Sequence, residues 1–125
     1  MALTTTVGNA ILDSIVSSYD TLYLLKTSGA TIDVAVSTYG GIVVDNAKTL
    51  SWASASGGTS VSTSNSATSN PLNYSVPANS ALTQLILVDS GNVVRGIISL
   101  VTPPTYTGGD GPYFVRDIEL TLSEV

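Results

Sequence analysis

Residues 82–101 read Leu82-Thr83-Gln84-Leu85-Ile86-Leu87-Val88-Asp89-Ser90-Gly91-Asn92-Val93-Val94-Arg95-Gly96-Ile97-Ile98-Ser99-Leu100-Val101. Two apolar-rich runs, Leu82 to Val88 and Val93 to Val101, flank a polar tetrapeptide. Gly91 and Asn92 can take the left-handed backbone conformations that tight hairpin turns need. The stretch therefore predicts two strands joined by a short turn, and an antiparallel sheet becomes the frame for the rest of the chain.

Working upstream, Tyr74-Ser75-Val76-Pro77 predicts an edge strand, because Pro77 has no N–H for a ladder. Residues 54–70 hold Ser, Thr, Gly, Asn and Ala around a single Val61, and read as a long loop or arm. The alternation of Thr59, Val61 and Thr63 leaves a weak hairpin open there. Short strands are predicted at 49–53 and 42–44, separated by the turn-prone Asp45-Asn46. At 32–37, Ile32, Val34 and Val36 alternate with Asp33, Ala35 and Ser37 at the strand period of two. Leu22-Tyr23-Leu24-Leu25-Lys26 reads as a central strand. Before it, Val7, Ile11, Leu12, Ile15, Val16 and Tyr19 fall at helical spacing, which predicts an amphipathic helix over about 6–17 with a Thr of 4–6 as its cap.

Downstream, Pro103-Pro104 ends the hairpin and Thr107-Gly108-Gly109-Asp110-Gly111-Pro112 forms a glycine-rich loop. A last strand is predicted over 113–122, with Phe114, Arg116, Ile118, Leu120 and Leu122 on one face and Val115, Asp117, Glu119 and Thr121 on the other. The expected architecture is mainly β: an antiparallel β-sandwich or jelly-roll-like fold with one N-terminal α-helix, in a single domain over 1–125.

Charged residues make up 10 % of the 125 positions, and 43 % are apolar. An average soluble domain carries about 25 % charge. The polar surface here must come from 18 Ser, 16 Thr and 7 Asn, a composition suited to a chain covered by neighbours or to an extracellular module. The net charge is −5, and the four bases, Lys26, Lys48, Arg95 and Arg116, are scattered. Such a set builds no phosphate-tracking patch, so nucleic-acid binding is not expected. No run approaches the roughly 18–20 apolar residues that span a bilayer, and the helix lacks the basic face of a membrane-surface anchor. The amino terminus has no basic and apolar leader pattern, so the mature chain is expected to begin at or near Met1.

The sequence has neither His nor Cys. A Ser-His-Asp triad, a Cys-His dyad and any imidazole or thiolate zinc site are thereby excluded, and no enzyme activity or cofactor is expected. Asp117 and Glu119 share a predicted strand face, where a solvated pair is the simpler role than a glycosidase dyad. Gly108-Gly109-Asp110-Gly111 lacks the Lys of a phosphate loop and the spaced acids of a calcium loop, and reads as a turn. Asn73-Tyr74-Ser75 matches a glycosylation sequon, which has meaning only along a eukaryotic secretory route. Trp52, the only Trp, serves either as a core aromatic or as a stacking platform for sugar or a partner side chain.

The helix Asn9-Ala10-Ile11-Leu12-Asp13-Ser14-Ile15, the early strand Thr21-Leu22-Tyr23-Leu24 and the later Leu87-Val88-Asp89-Ser90-Gly91-Asn92-Val93-Val94-Arg95-Gly96 together resemble small tailed-bacteriophage proteins of virion-gene neighbourhoods. In those proteins an Asn-Ala-x-Leu-Asp helix precedes short strands rich in Ser, Thr, Ala and Gly. The chain departs from that pattern at 54–70 and 102–112. The resemblance implies a virion structural protein at the capsid surface: a capsid cement or decoration protein that binds the major capsid protein and forms a homo-oligomer, a trimer by the geometry common to such proteins. A tail or baseplate component is the next role implied. A carbohydrate- or receptor-binding module is the main rival. Contacts are expected from the 54–70 arm and the 102–112 loop, with Trp52, Tyr74, Tyr106 and Tyr113 as candidate interface anchors, each of which fits a place in the core at least as well.

Overall fold

The computed structural model describes residues 5–57, 59–61, 72–115 and 118–121. Helix α1 (Thr5–Val16) opens the chain. It is followed by β1 (Tyr19–Leu25), β2 (Val43–Thr49), β3 (Thr59–Val61), β4 (Leu72–Val76), β5 (Gln84–Asp89), β6 (Val94–Ser99), β7 (Gly111–Val115) and β8 (Glu119–Thr121). A 3-10 turn, Val36–Tyr39, lies between β1 and β2. The fold is mainly β with a single N-terminal α-helix, and its strand pairs are antiparallel. One four-stranded sheet runs β2-β1-β5-β6, and two ribbons, β3-β8 and β4-β7, complete the strands.

The hairpin of 82–101 forms as β5 and β6, with β5 also pairing with β1 in the middle of the sheet. Leu85, Ile86, Leu87 and Val88 are all buried. Alternate side chains of a strand point to opposite faces, so four consecutive buried positions require cover on both sides of the sheet. Leu85 and Leu87 join Leu22, Leu24 and Val44 in an inner core, roofed by Tyr74 and Val76 of β4 and Val115 of β7. Ile86 and Val88 join Leu25 and Val94 in an outer core, covered by Ala30, Val36, Tyr39 and Ile42 from the segment between β1 and β2. The result is an uneven sandwich: a sheet with a ribbon on one face and a folded connection on the other.

That connection replaces the strand expected at 32–37. Asp33 sits at φ 64, in the left-handed region, which interrupts an extended run. Only Ala35 bridges to Val93, while Asp33 N–H donates to Val94 O at 2.8 Å and Val94 N–H to Val34 O at 2.9 Å. The chain then enters the 3-10 turn that lays Val36 and Tyr39 on the outer core. Ile32, expected inward, is 54 % exposed. Covering the outer face of β1 and β5 outweighs the local alternation.

The expected strands at 42–44 and 49–53 resolve differently too. β2 runs through Asp45-Asn46 to Thr49, and Leu50 N–H then bonds Asp20 O at 2.8 Å before the chain leaves the sheet. The register against β1 passes from Leu22↔Lys48 to Leu24↔Val44, so Asp45, Asn46 and Ala47 bulge opposite Tyr23. Asp45, at φ 60, takes the left-handed conformation that a bulge tolerates. The turn signal at 45–46 is therefore real, but it bends a strand instead of ending one.

Within the expected 54–70 loop, β3 pairs with β8 (Thr59↔Thr121) beyond a tight turn in which Ser56 and Thr59 exchange backbone hydrogen bonds. The remainder of that loop, 62–70, lies outside the described residues. The expected 113–122 strand is two strands with different partners, β7 on β4 and β8 on β3. Val115 and Ile118 are both buried while Phe114 is 52 % exposed. A spacing of three between inward residues breaks the period of two, so Phe114 faces opposite to the expectation; Arg116, Asp117 and Leu122 lie outside the described residues.

Helix α1 docks through Leu12 and Val16, which are buried, whereas Val7 and Ile11 of the same predicted stripe remain exposed. The double-sided core yields a direct contrast. Ile86→Ala should cost about 2–5 kcal/mol of unfolding free energy, through lost burial and the cavity left behind. Ile32→Ala should stay within about 0.5 kcal/mol. Urea unfolding midpoints of the two variants check both.

Candidate functional site

The four aromatic residues expected as interface anchors converge on one place, and it is the inner core. Tyr74 belongs to that core, and Trp52, Tyr106 and Tyr113 pack half-buried against it. The sequence pattern marks aromatic residues as contact candidates, but their contacts here are first of all internal.

Tyr74 is 0 % exposed, so of its two expected roles, interface anchor and core aromatic, it takes the second. Strand β4 alternates half-buried Leu72, exposed Asn73, buried Tyr74, exposed Ser75 and buried Val76, which drives the phenol across the sandwich. Its hydroxyl donates to Leu22 O at 2.6 Å, 52 residues away, and so ties the ribbon to the centre of the main sheet. Burial, followed by the negative charge of Asp45 and the neighbouring Tyr23 phenol, pushes its ionisation well above the ordinary tyrosine range. The bulge in β2 supplies a second tie. Asp45 accepts from Ser75 N–H at 2.7 Å and pairs with Lys48 Nζ at 3.5 Å, and Lys48 Nζ lies 5.4 Å from the centre of the Tyr74 ring. The Ser75 and Asn46 amides, with Lys48, hold the Asp45 carboxyl below its ordinary range.

Tyr106 anchors the 102–112 loop, which was expected to drape over a partner. Its hydroxyl donates to Pro112 O at 2.7 Å, and its carbonyl accepts from Asn79 N–H. Gly111 is needed beneath it, because a Cβ there would stand 2.7 Å from the ring. Asp110 accepts from Ala78 N–H at 2.9 Å, so the glycine-rich loop closes on the chain itself. Burial disfavours the phenolate and raises the pKa of both Tyr106 and Tyr113, and the nearby Tyr113 phenol adds to the effect on Tyr106.

Trp52 is the candidate that lines a cleft. Its Nε1 donates to Tyr19 O at 2.7 Å, fixing the indole at the end of β1. A cleft of about 270 Å³ opens beside it, lined by Asp13, Tyr19, Asp20, Leu50, Trp52 and Ser54 among others. Asp13 accepts from Ala55 N–H at 2.7 Å and Asp20 from Thr21 Oγ1 at 2.9 Å, which holds both carboxylates in place. An indole, a phenol and two carboxylates can stack on and hydrogen-bond a polyol or an organic cation.

Phe114, which sequence patterning turned inward, is the aromatic that stands outside. It is the only Phe and is 52 % exposed on β7. Parity through Val115 would have found it, had the core side of Val115 been known. Among the described residues no three His, Cys, Asp or Glu side chains gather as a metal set, and no helix is long and apolar enough to cross a membrane. The Asp117 partner of the considered carboxylate pair lies outside the described residues. No family model, curated protein or solved structure matches the chain.

The two ties between ribbon and sheet give a stability and a pH prediction. Tyr74→Phe leaves the buried Leu22 carbonyl without its phenolic donor and should cost about 1–3 kcal/mol. Because the folded state keeps the Tyr74 phenol protonated above its unfolded value, this stabilisation is complete below about pH 10 and is lost as pH rises beyond it. Thermal melts from pH 8 to 12, with tyrosinate absorbance recorded alongside, should show a decline above about pH 10 that is shallower in Tyr74→Phe.

Proposed function

We propose that this chain is a non-enzymatic virion structural protein, a capsid cement or decoration protein that binds the major capsid protein on the shell of a tailed phage and associates with copies of itself. The carrying observation is Phe114, a large aromatic presented to solvent on a strand of a chain with 10 % charged residues. Exposed aromatics are enriched at binding hot spots, and a Ser/Thr/Asn surface costs less to desolvate than a charged one. Val101, 89 % exposed, and Ile32 extend the apolar surface available for burial against a neighbour. The resemblance of the helix and the hairpin to small phage virion proteins supplies the setting.

Copy number separates this role from that of a tail or baseplate component. Mass spectrometry of purified virions should find the chain at the same order of abundance as the major capsid protein; a handful of copies would place it in the tail, and none would end the virion reading. Phe114→Ser should weaken capsid binding by about 2 kcal/mol or more while leaving the fold intact.

The Trp52 cleft favours a second reading, a carbohydrate- or receptor-binding module. Its test uses the single Trp as reporter: a saturable change in indole fluorescence on adding host glycans, abolished by Asp20→Ala, supports it. A flat titration is the outcome expected of the capsid role.

A further inference from the structure

The two edges of the main sheet are built differently. The β2 edge is blunted by the Asp45–Ala47 bulge, by the left-handed Asp45 and by Lys48, and Asp45 spends its carboxylate on Ser75 of the ribbon. Bulges and charges are devices that keep an edge from pairing with another chain. The β6 edge carries neither between Gly96 and Val101, a stretch that reads Gly96-Ile97-Ile98-Ser99-Leu100-Val101.

The hydrogen-bond phase of β6 shows which groups that edge offers. Leu100 N–H donates to Thr83 O, in line with the register Ile98↔Leu85 and Gly96↔Leu87. Alternation then turns the N–H and C=O of Gly96, Ile98 and Leu100 toward β5, and those of Ile97 and Ser99 away from the sheet. Val94, the next outward residue, is already paired with Asp33 and Val34. Arg95 is also engaged: its Nε donates to Asp89 Oδ2 at 2.8 Å and its Nη1 to Asp33 Oδ1. Among the described residues the open part of the edge is thus short, uncharged and bounded on one side by a closed turn, and it carries Ile98 at 37 % exposure and Val101 at 89 %.

We infer that β6 pairs with β6 of a second copy across a twofold axis at Ile98, joining two four-stranded sheets into one. In this antiparallel register the outward groups of Ile97 meet those of Ser99 in the second copy, and the reverse, so every free donor and acceptor of the pair is used. Registers centred on Ile97 or Ser99 need the bulged Arg95 or the non-strand Val101 to complete the ladder. Ile98 faces Ile98 of the second copy at a position without inter-copy hydrogen bonds, where side chains approach most closely. Arg95 falls opposite Val101, so no like charges meet. The inference stands apart from the capsid reading, and a twofold contact takes the place of the trimer implied by the family resemblance.

Sedimentation velocity over a concentration series tests it on the full chain. A concentration-dependent species of twice the chain mass is expected, with the Ile97 and Ser99 amides gaining hydrogen-exchange protection as it forms. Ile98→Lys puts two ammonium groups face to face and should raise the dissociation constant at least about tenfold. Ser99→Pro, tolerated on an edge strand, removes a donor used only between copies and should have the same effect without lowering the melting temperature of the monomer. A monomer at every concentration, a trimer, or a dimer that both variants leave unchanged would overturn the inference.

Discussion

The burial of β5 on both faces is the constraint on which the remaining structure depends. A strand with four consecutive apolar residues cannot sit in a sheet with one wet side, because each alternate side chain would be left in water. β1 imposes the same demand through adjacent Leu24 and Leu25, which enter opposite cores. Two covers are therefore required, and the chain has few long elements with which to make them. It uses the β4-β7 ribbon for the inner face and the connection between β1 and β2 for the outer one.

The ribbon is held to the main sheet by single side chains, whereas the outer connection adds a few backbone bonds, from 33–36 to 92–94, to its side-chain link. Tyr74 spans the inner core to Leu22, and Asp45 reaches from the β2 bulge to Ser75. On the outer side Arg95 links the hairpin turn, through Asp89, to Asp33 of the covering connection. Asp89 itself accepts from Gly91 and Val93 N–H, which closes the turn. A chain with so few charges places several of them at these joints. The Arg95 hydrogen bond and the turn amides hold the Asp89 carboxyl below its ordinary range, so this joint is complete above the normal carboxylate titration and is lost as pH falls from there through the lowered titration of the folded state.

The same economy shapes the outer surface. Sheet edges and solvent-facing aromatics are two features by which a sparsely charged β protein can meet a partner. Most aromatic area is drawn into the inner core, leaving Phe114 and the Trp52 cleft at the surface, while the edges divide into one blunted midway by a three-residue bulge and one open beyond its own bulge at Arg95. A charged bulge on β2 serves internal stability and edge protection together, which explains why a left-handed Asp is kept within a strand.

Sequence by itself determined the β character, the antiparallel hairpin, the N-terminal helix and the absence of imidazole and thiol chemistry, because these follow from local periodicity, turn residues and composition. It also marked Trp52, Tyr74, Tyr106 and Tyr113 as aromatics of consequence, without distinguishing wall from surface. Only the tertiary structure decided that 32–37 is a cover and not a strand, that Asp45-Asn46 bends β2 without ending it, and that 113–122 divides between two ribbons. It also buried Tyr74 and turned Phe114 outward. The physical reason is common to all of these: which face of a strand is inside depends on what lies across from it, and alternation alone specifies two faces without saying which one is dry.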